Sequence, residues 1–320
     1  MKEKVLRKIE LITRDNLETK FKECLEQRQM PDYFLYLDSS GVKNWLDLDS
    51  SEEFPIASRL TDLLRQSLPS ITKHFPRRLD LVSIGVGNGE KERMLLEALI
   101  PRCQLHYCAV DISSQMVDEA LNTVADIDME KTGIVAFLED LPLLRQFWSQ
   151  PAVLCLLGNN FCNYEPDYLL KTLHSQLECD DLFLFDCHLF PAPPESVSRK
   201  QVEQIYRSPL NVRFNIDPLV RRGLDPDNCA FYLELLPTET SLGRAYRTSK
   251  WLHILKDSTL SSGPDKISLA AGDTIGLGFT YKYTDSQVEG YLKHYGFHKI
   301  ERFLSSDGNN LLLLACKQPA

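Results

Sequence analysis

The chain has 320 residues, of which 43% are hydrophobic and 25% charged. Those are the proportions of a folded globular protein of one large or two ordinary domains, and they exclude disordered, collagen-like and coiled-coil classes. Lys and Arg total 36 against 45 Asp and Glu, a net charge of -9 that repels a phosphate backbone, so no nucleic-acid partner is expected. The longest apolar runs, Ala152–Leu157 and Leu311–Cys316, fall far short of the ~18–20 residues that span a bilayer. The opening Met1-Lys2-Glu3-Lys4-Val5-Leu6-Arg7-Lys8 carries no apolar signal segment. The expectation is a cytoplasmic protein with no membrane partner, a monomer or weak homodimer acting on a small molecule. Nine cysteines, with no C-x-x-C pair and with Cys108, Cys155 and Cys187 inside apolar runs, fit reduced core thiols, and no metal site is expected.

From Val5 to Leu25 the apolar residues recur at helical spacing, an aromatic stretch follows at Met30–Tyr36, and Ile56, Leu60, Leu63, Leu64 and Leu68 follow Pro55. Residues 1–78 thus read as a helical N-terminal cap. At Leu79 short apolar runs begin to alternate with amphipathic segments, the rhythm of a doubly wound parallel α/β sheet. The spacing predicts strands Leu79–Ile84, Leu105–Val110, Ile134–Leu138, Ala152–Leu157 and Leu182–Phe185. Between them it predicts helices Glu90–Leu99, Ser113–Val124 and Pro166–Leu177. Residues 79–190 form this core. Pro191-Ala192-Pro193-Pro194 breaks the rhythm, and residues 191–275 read as an inserted α+β subdomain. Residues 276–320 close the core with helix Ser286–Tyr295 and an antiparallel hairpin, Phe297–Phe303 and Leu311–Lys317.

Chemistry concentrates where the first core strand runs into Gly85-Val86-Gly87-Asn88-Gly89 and then a helix. Glycines there let a ligand approach the backbone and the helix N-terminal N–H groups. Asp111 ends the second strand 22 residues past Gly89, where a carboxylate can accept both hydroxyls of a ribose; by itself it would serve equally as a cap for the helix near Ser113. Together the two features point to a nucleoside. Both NAD and S-adenosylmethionine contain one, and an NAD-dependent dehydrogenase or a catalytically silent nucleoside-binding protein stays open at this point. The G-x-G-x-G spacing, the terminal hairpin and Asp111-Ile112-Ser113-x-x-Met116, which resembles the post-strand motif of class I methyltransferases, favour the methyl donor.

The segment Val82–Leu96 is similar to the LGxGNxxKTxxLL motif of the histidine-specific methyltransferase family, one member of which trimethylates histidine. Leu156–Tyr164 resembles that family's FLGSxxGN(F/L) motif, Asn211–Asn215 its AFN segment and Phe279–Thr284 its SYKYT, in the family's order. The resemblance implies a Rossmann-like fold, S-adenosylmethionine as cofactor and methyl transfer to a small amine or amino-acid-like acceptor. It places Gly85, Val86, Gly87, Lys91, Asp111, Ile112, Asp140, Leu141 and Gly158 at the cofactor. Asn163 and Tyr206 fall where the family holds the amino-acid head group and are the expected catalytic pair. Phe54, Gly278 and Thr280 complete the expected acceptor site.

Two positions depart from the family. Its Ser-Thr is Asn159-Asn160 here, and the glutamate with which it addresses an imidazole aligns with Gly278. No acidic residue lies between Thr274 and Thr284, so free histidine is expected to be a poor acceptor. Trp45, Trp148 and Trp251 are expected to be packing residues, with an aromatic beside the acceptor able to favour a sulfonium.

Overall fold

The first core strand, apolar on both faces, becomes the centre of a sheet. In a computed structural model that describes residues 6–149, 151–190 and 206–318, Arg78–Ile84 is a strand buried at every position after Arg78, as strands covered on both faces are. The expected Pro191–Pro194 break lies outside the described residues.

The strands in chain order are β1 Leu6–Glu10, β2 Arg78–Ile84, β3 Gln104–Asp111, β4 Glu130–Val135, β5 Ala152–Leu156 and β6 Leu182–His188. They continue with β7 Cys229–Thr240, β8 Gly243–Ile254, β9 Ser258–Ser262, β10 Asp265–Leu269, β11 Thr274–Lys282, β12 Phe297–Leu304 and β13 Asn310–Lys317. The helices are α1 Arg14–Glu26, α2 Ser39–Asp49, α3 Pro55–Ile71, α4 Glu90–Leu99, α5 Ser114–Thr123, α6 Leu141–Leu144, α7 Pro166–Gln176, α8 Pro209–Val220 and α9 Asp285–His294. The main sheet runs β1-β4-β3-β2-β5-β6-β13-β12. β1 through β6 pair in parallel; β13 runs against them, and β12, antiparallel to β13, runs with them again. This is the class I methyltransferase order with its closing antiparallel hairpin.

Most elements lie within a residue or two of their predicted bounds, because each has a local stop. Ser113 caps α5 by accepting from Met116 N, and Thr284 with Gln287 forms a capping box at α9. α3, α4 and α5 cover one face of the sheet, burying Leu63, Leu95, Leu99, Val117 and Leu121. α7 and α9 cover the other with Leu169, Leu170, Val288 and Leu292.

Two elements differ from expectation. Leu6–Glu10 is an edge strand parallel to β4, not the start of a helix; the spacing of Val5, Ile9 and Ile12 suits a helix, but pairing with an open sheet edge overrides it. β4 ends at Val135 rather than Leu138, because Phe137 and Leu138 leave the ladder to line a cavity.

The second sheet, β7-β8-β11, is antiparallel, and β11 runs across the boundary expected at residue 275. It shares a core with the N-terminal segment: Phe21, Met30, Phe34, Leu252 and Ile275 pack together. Two backbone bonds join them, Met30 N to Gly276 O at 2.7 Å and Gly276 N to Arg28 O at 3.0 Å. The N-terminal segment and the β7-β8-β11 sheet therefore meet over the carboxyl ends of the main-sheet strands, the edge where open α/β sheets bind ligands.

Candidate active site

The ends of four strands, β2, β3, β4 and β5, build one wall. Gly85 and Gly87 adopt φ of 69° and 58°, a left-handed turn that an L side chain resists. A β-carbon on Gly87 would meet nothing nearer than Trp45 Nε1 at 4.0 Å, so this backbone faces open space. Asp111, at the end of β3, accepts from Gly87 N at 3.2 Å and Ser113 N at 2.9 Å. It therefore props the glycine turn and keeps acceptor capacity toward the cavity, while Ser113 does the capping. Burial pushes the Asp111 carboxyl up to about 6, against the pull of its backbone donors.

Asp186, at the end of β6, does the same for the next loop: it accepts from Gly158 N at 2.9 Å and Asn159 N at 2.6 Å. Burial also pushes Asp186 to about 6, with Lys91 pulling it down. Asn159 sits at φ 67°, which asparagine tolerates better than serine. Asn160 Nδ2 donates to Gly85 O at 2.9 Å and Leu157 O at 2.8 Å. The Asn159-Asn160 pair thus ties the β2 and β5 loops together.

A cavity of about 510 Å³ opens on this wall. Gly85, Val86, Gly87, Lys91, Asp111, Ile112 and Gly158 all line it. Asp140 and Leu141 do not: Leu141 is fully buried, and Asp140 folds back to accept from Phe137 N at 3.0 Å. Their neighbours Phe137, Leu138 and Glu139 take the place expected of them, because the chain turns out of β4 three residues early. A nucleoside with a sulfonium side chain fits this donor set: a glycine turn open to the cavity, a buried carboxylate with spare lone pairs, and an apolar flank from Ile112, Phe137 and Leu138.

A second cavity of about 60 Å³ adjoins the first, and Asp32, Tyr36, Trp45, Gly158 and Asn163 line both. Phe54, Tyr206 and Thr280 line the second one, whereas Gly278 lines the first. Asn163 Oδ1 accepts from Thr280 Oγ1 at 2.6 Å, which leaves its amide N–H groups to offer. Tyr206 Oη accepts from Lys282 Nζ at 2.6 Å, which leaves its own O–H to donate. Lys282 is fully buried, and burial lowers its ammonium to about 8. Phe54 stands edge-on to both Trp45 and Tyr206.

Gly278 lies at φ 89° inside a β-bulge of β11. A β-carbon there would overlap the Asp32 carboxylate. The space beside Gly278 is thus taken by an acid of the N-terminal segment, and Lys250 Nζ donates to Asp32 Oδ1 at 2.9 Å. Burial raises the Asp32 carboxyl while Lys250 pulls it down. Sequence reasoning missed Asp32, Tyr36, Lys250, Lys282 and Asp186. The aromatic run Tyr33-Phe34-Leu35-Tyr36 was the available signal for the first two, since aromatics in a polar cap need something to cover. Trp45 likewise lines both cavities, rather than only packing in a core.

Comparison with known proteins identifies the family. The model of a family described as histidine-specific, S-adenosylmethionine-dependent methyltransferases matches residues 17–317. The chain is 24% identical over 303 residues to the N-methyltransferase fsqC of Aspergillus fumigatus, covering 88% of this chain and 78% of that protein. Similar solved structures include an S-adenosylmethionine-dependent methyltransferase from Clostridium acetobutylicum, with 14% identity, a TM-score of 0.42 and coverage of 82% of this chain and 92% of that one. Another is the Burkholderia thailandensis 1,6-didemethyltoxoflavin-N1-methyltransferase with bound 1,6-didemethyltoxoflavin and S-adenosylhomocysteine, with 10% identity, a TM-score of 0.42 and coverage of 80% and 79%.

Proposed function

The chain belongs to the family of histidine-specific, S-adenosylmethionine-dependent methyltransferases, and from that premise we propose that it methylates the amine of a small amino-acid-like acceptor seated where the two adjoining cavities meet. It is an S-adenosylmethionine-dependent N-methyltransferase. The observation that carries the reading is the shared boundary of the cavities, where Asp32, Tyr36, Trp45 and Asn163 face both.

When bound, S-adenosylmethionine supplies an electrophilic methyl group on a sulfonium. Gly85, Val86, Gly87, Lys91, Ile112 and Gly158 would hold it, with Asp111 accepting from the ribose hydroxyls. Trp45 and Tyr36 line the boundary, and aromatic rings stabilise a neighbouring cation by about 0.5–2 kcal/mol. Asn163 and Tyr206, each with an oxygen already accepting one bond and with N–H or O–H hydrogens to give, suit an acceptor carboxylate. Direct displacement needs the amine neutral and aligned, so the chain's contribution is positioning and exclusion of water.

Among the described residues no helix is long and apolar enough to cross a membrane, and all nine cysteines are free thiols. Both fit work in a reducing cytoplasm. An S-adenosylhomocysteine release assay over amino acids and simple amines tests the proposal. Turnover with a methylated amine as product supports it; cofactor binding without turnover on any amine contradicts it.

A further inference from the structure

Resting on the reading of an amine acceptor, one ion pair is placed to choose among amines. Lys250, on β8, reaches the second cavity with its side chain 12% exposed and its ammonium 2.9 Å from Asp32. Asp32 lies on the boundary between the cavities, Lys250 on the far side of it. The second cavity also holds polar atoms without a partner. Thr248 Oγ1 and Asn215 Oδ1 are buried, line it and make no hydrogen bond, and both residues are 1% exposed. Buried polar groups left unpaired are costly, so the space is built for a polar occupant.

The polarity of that occupant follows from the donors. Asn163, with its oxygen taken by Thr280, and Tyr206, with its oxygen taken by Lys282, have hydrogens to give. Thr248 adds an uncommitted hydroxyl and Lys250 a cation. These four donors outnumber the one unpaired acceptor, Asn215 Oδ1, and suit a carboxylate. Asp32, by contrast, is the carboxylate shared by both cavities, and it suits an amine or ammonium at their boundary.

We propose that Lys250 and Asp32 are the specificity pair of the acceptor site, Lys250 reading the acceptor's carboxylate in the second cavity and Asp32 holding its amine at the boundary. In this arrangement the acceptor exchanges the Lys250–Asp32 bridge for two bridges of its own. A zwitterionic acceptor thus binds without leaving either charge unpaired, the condition under which buried ions are tolerated, and its ammonium must then give up a proton, with Asp32 the carboxylate beside it, before the neutral amine attacks. An α-amino acid carries the required anion and amine two bonds apart through one carbon; a decarboxylated amine carries only half.

The experiment compares each of three amino acids with its decarboxylated partner: phenylalanine with phenethylamine, tryptophan with tryptamine, histidine with histamine. Wild-type enzyme is expected to favour the amino acid by about ten- to a hundredfold in kcat/KM, the range of a charge-assisted hydrogen bond. In Lys250→Met the ratio is expected to fall to within threefold of one, through KM of the amino acid, and in Lys250→Arg to recover in part. Thermal stability and S-adenosylhomocysteine affinity of each variant show whether the fold survives, and the wild-type ratio needs no variant. Wild-type turnover of amines without a carboxylate preference overturns the pair while leaving N-methylation intact. A ratio unchanged in Lys250→Met overturns it as well. Turnover of neither amino acids nor amines overturns both this inference and the proposed function.

Discussion

The carboxylate of Asp32 occupies the space that a side chain at Gly278 would enter. The two residues are 246 positions apart in the chain and meet because the backbone of Arg28–Met30 pairs with Gly276 on β11. Gly278 is therefore not simply a lost acid: its missing side chain is the room in which an acid from another element stands.

Substitution at Gly278 tests that relationship. Gly278→Ala forces a β-carbon into φ 89° and against Asp32, and a residue strained in this way costs about 1–3 kcal/mol. We expect a lower melting temperature and a raised KM for the acceptor. Gly278→Glu is expected to do worse on both counts and not to create histidine methylation. A stable Gly278→Glu enzyme with improved histidine turnover contradicts the placement of Asp32.

Free histidine is expected to remain a poor acceptor, but for a different reason from the bare strand. An imidazole reaching for the Gly278 wall would compete with the acceptor amine for one carboxylate, Asp32. Amino acids whose side chains make no demand on Asp32 should exceed histidine by tenfold or more in kcat/KM, about 1.4 kcal/mol. Steady-state kinetics with histidine as the best acceptor of the twenty amino acids would sink this expectation.

Asp111 carries a pH dependence whose sign can be worked out. Its folded-state value, about 6, stands above the ordinary 3.8, so its contribution to stability is complete below about 4 and is lost as pH rises through about 6. The same ionisation creates the anion that a ribose needs. Cofactor affinity is expected to rise with pH between about 5 and 7, and Asp111→Asn to flatten that rise and weaken binding by about 1–3 kcal/mol. Calorimetry of S-adenosylhomocysteine across that range decides it; an unchanged affinity in the variant would remove Asp111 from the ribose site.

Asn160 offers a structural test of the cradle. Removing its amide in Asn160→Ala leaves Gly85 O and Leu157 O without their side-chain donor, at about 1–3 kcal/mol for groups lying partly buried. Both the melting temperature and cofactor affinity should fall. A fall in neither shows that the two loops hold without it.

What was legible in the sequence is what local chemistry specifies. β2, α4 and α5 are readable because apolar periodicity and caps such as Ser113 act within a few residues. The cofactor wall from Gly85 to Asp111 is readable for the same reason, being one strand, one turn and the next strand. Asp140 and Leu141 were placed at the cofactor, whereas Leu138 and Glu139 line the cavity, because where a chain leaves a sheet depends on what lies above it. Asp32, Lys250 and Lys282 belong to three elements brought together only by tertiary pairing, and nothing local marks them. β1 looks helical by spacing and is held as a strand by the open edge of β4.

A ternary crystal structure with S-adenosylhomocysteine and phenylalanine tests the account most directly. The account predicts the ribose hydroxyls on Asp111, the thioether sulfur facing the boundary between Asn163 and Asp32, and the phenylalanine amine on Asp32 with its carboxylate on Lys250. A sulfur turned away from the second cavity, or an acceptor amine outside reach of Asp32, would contradict it.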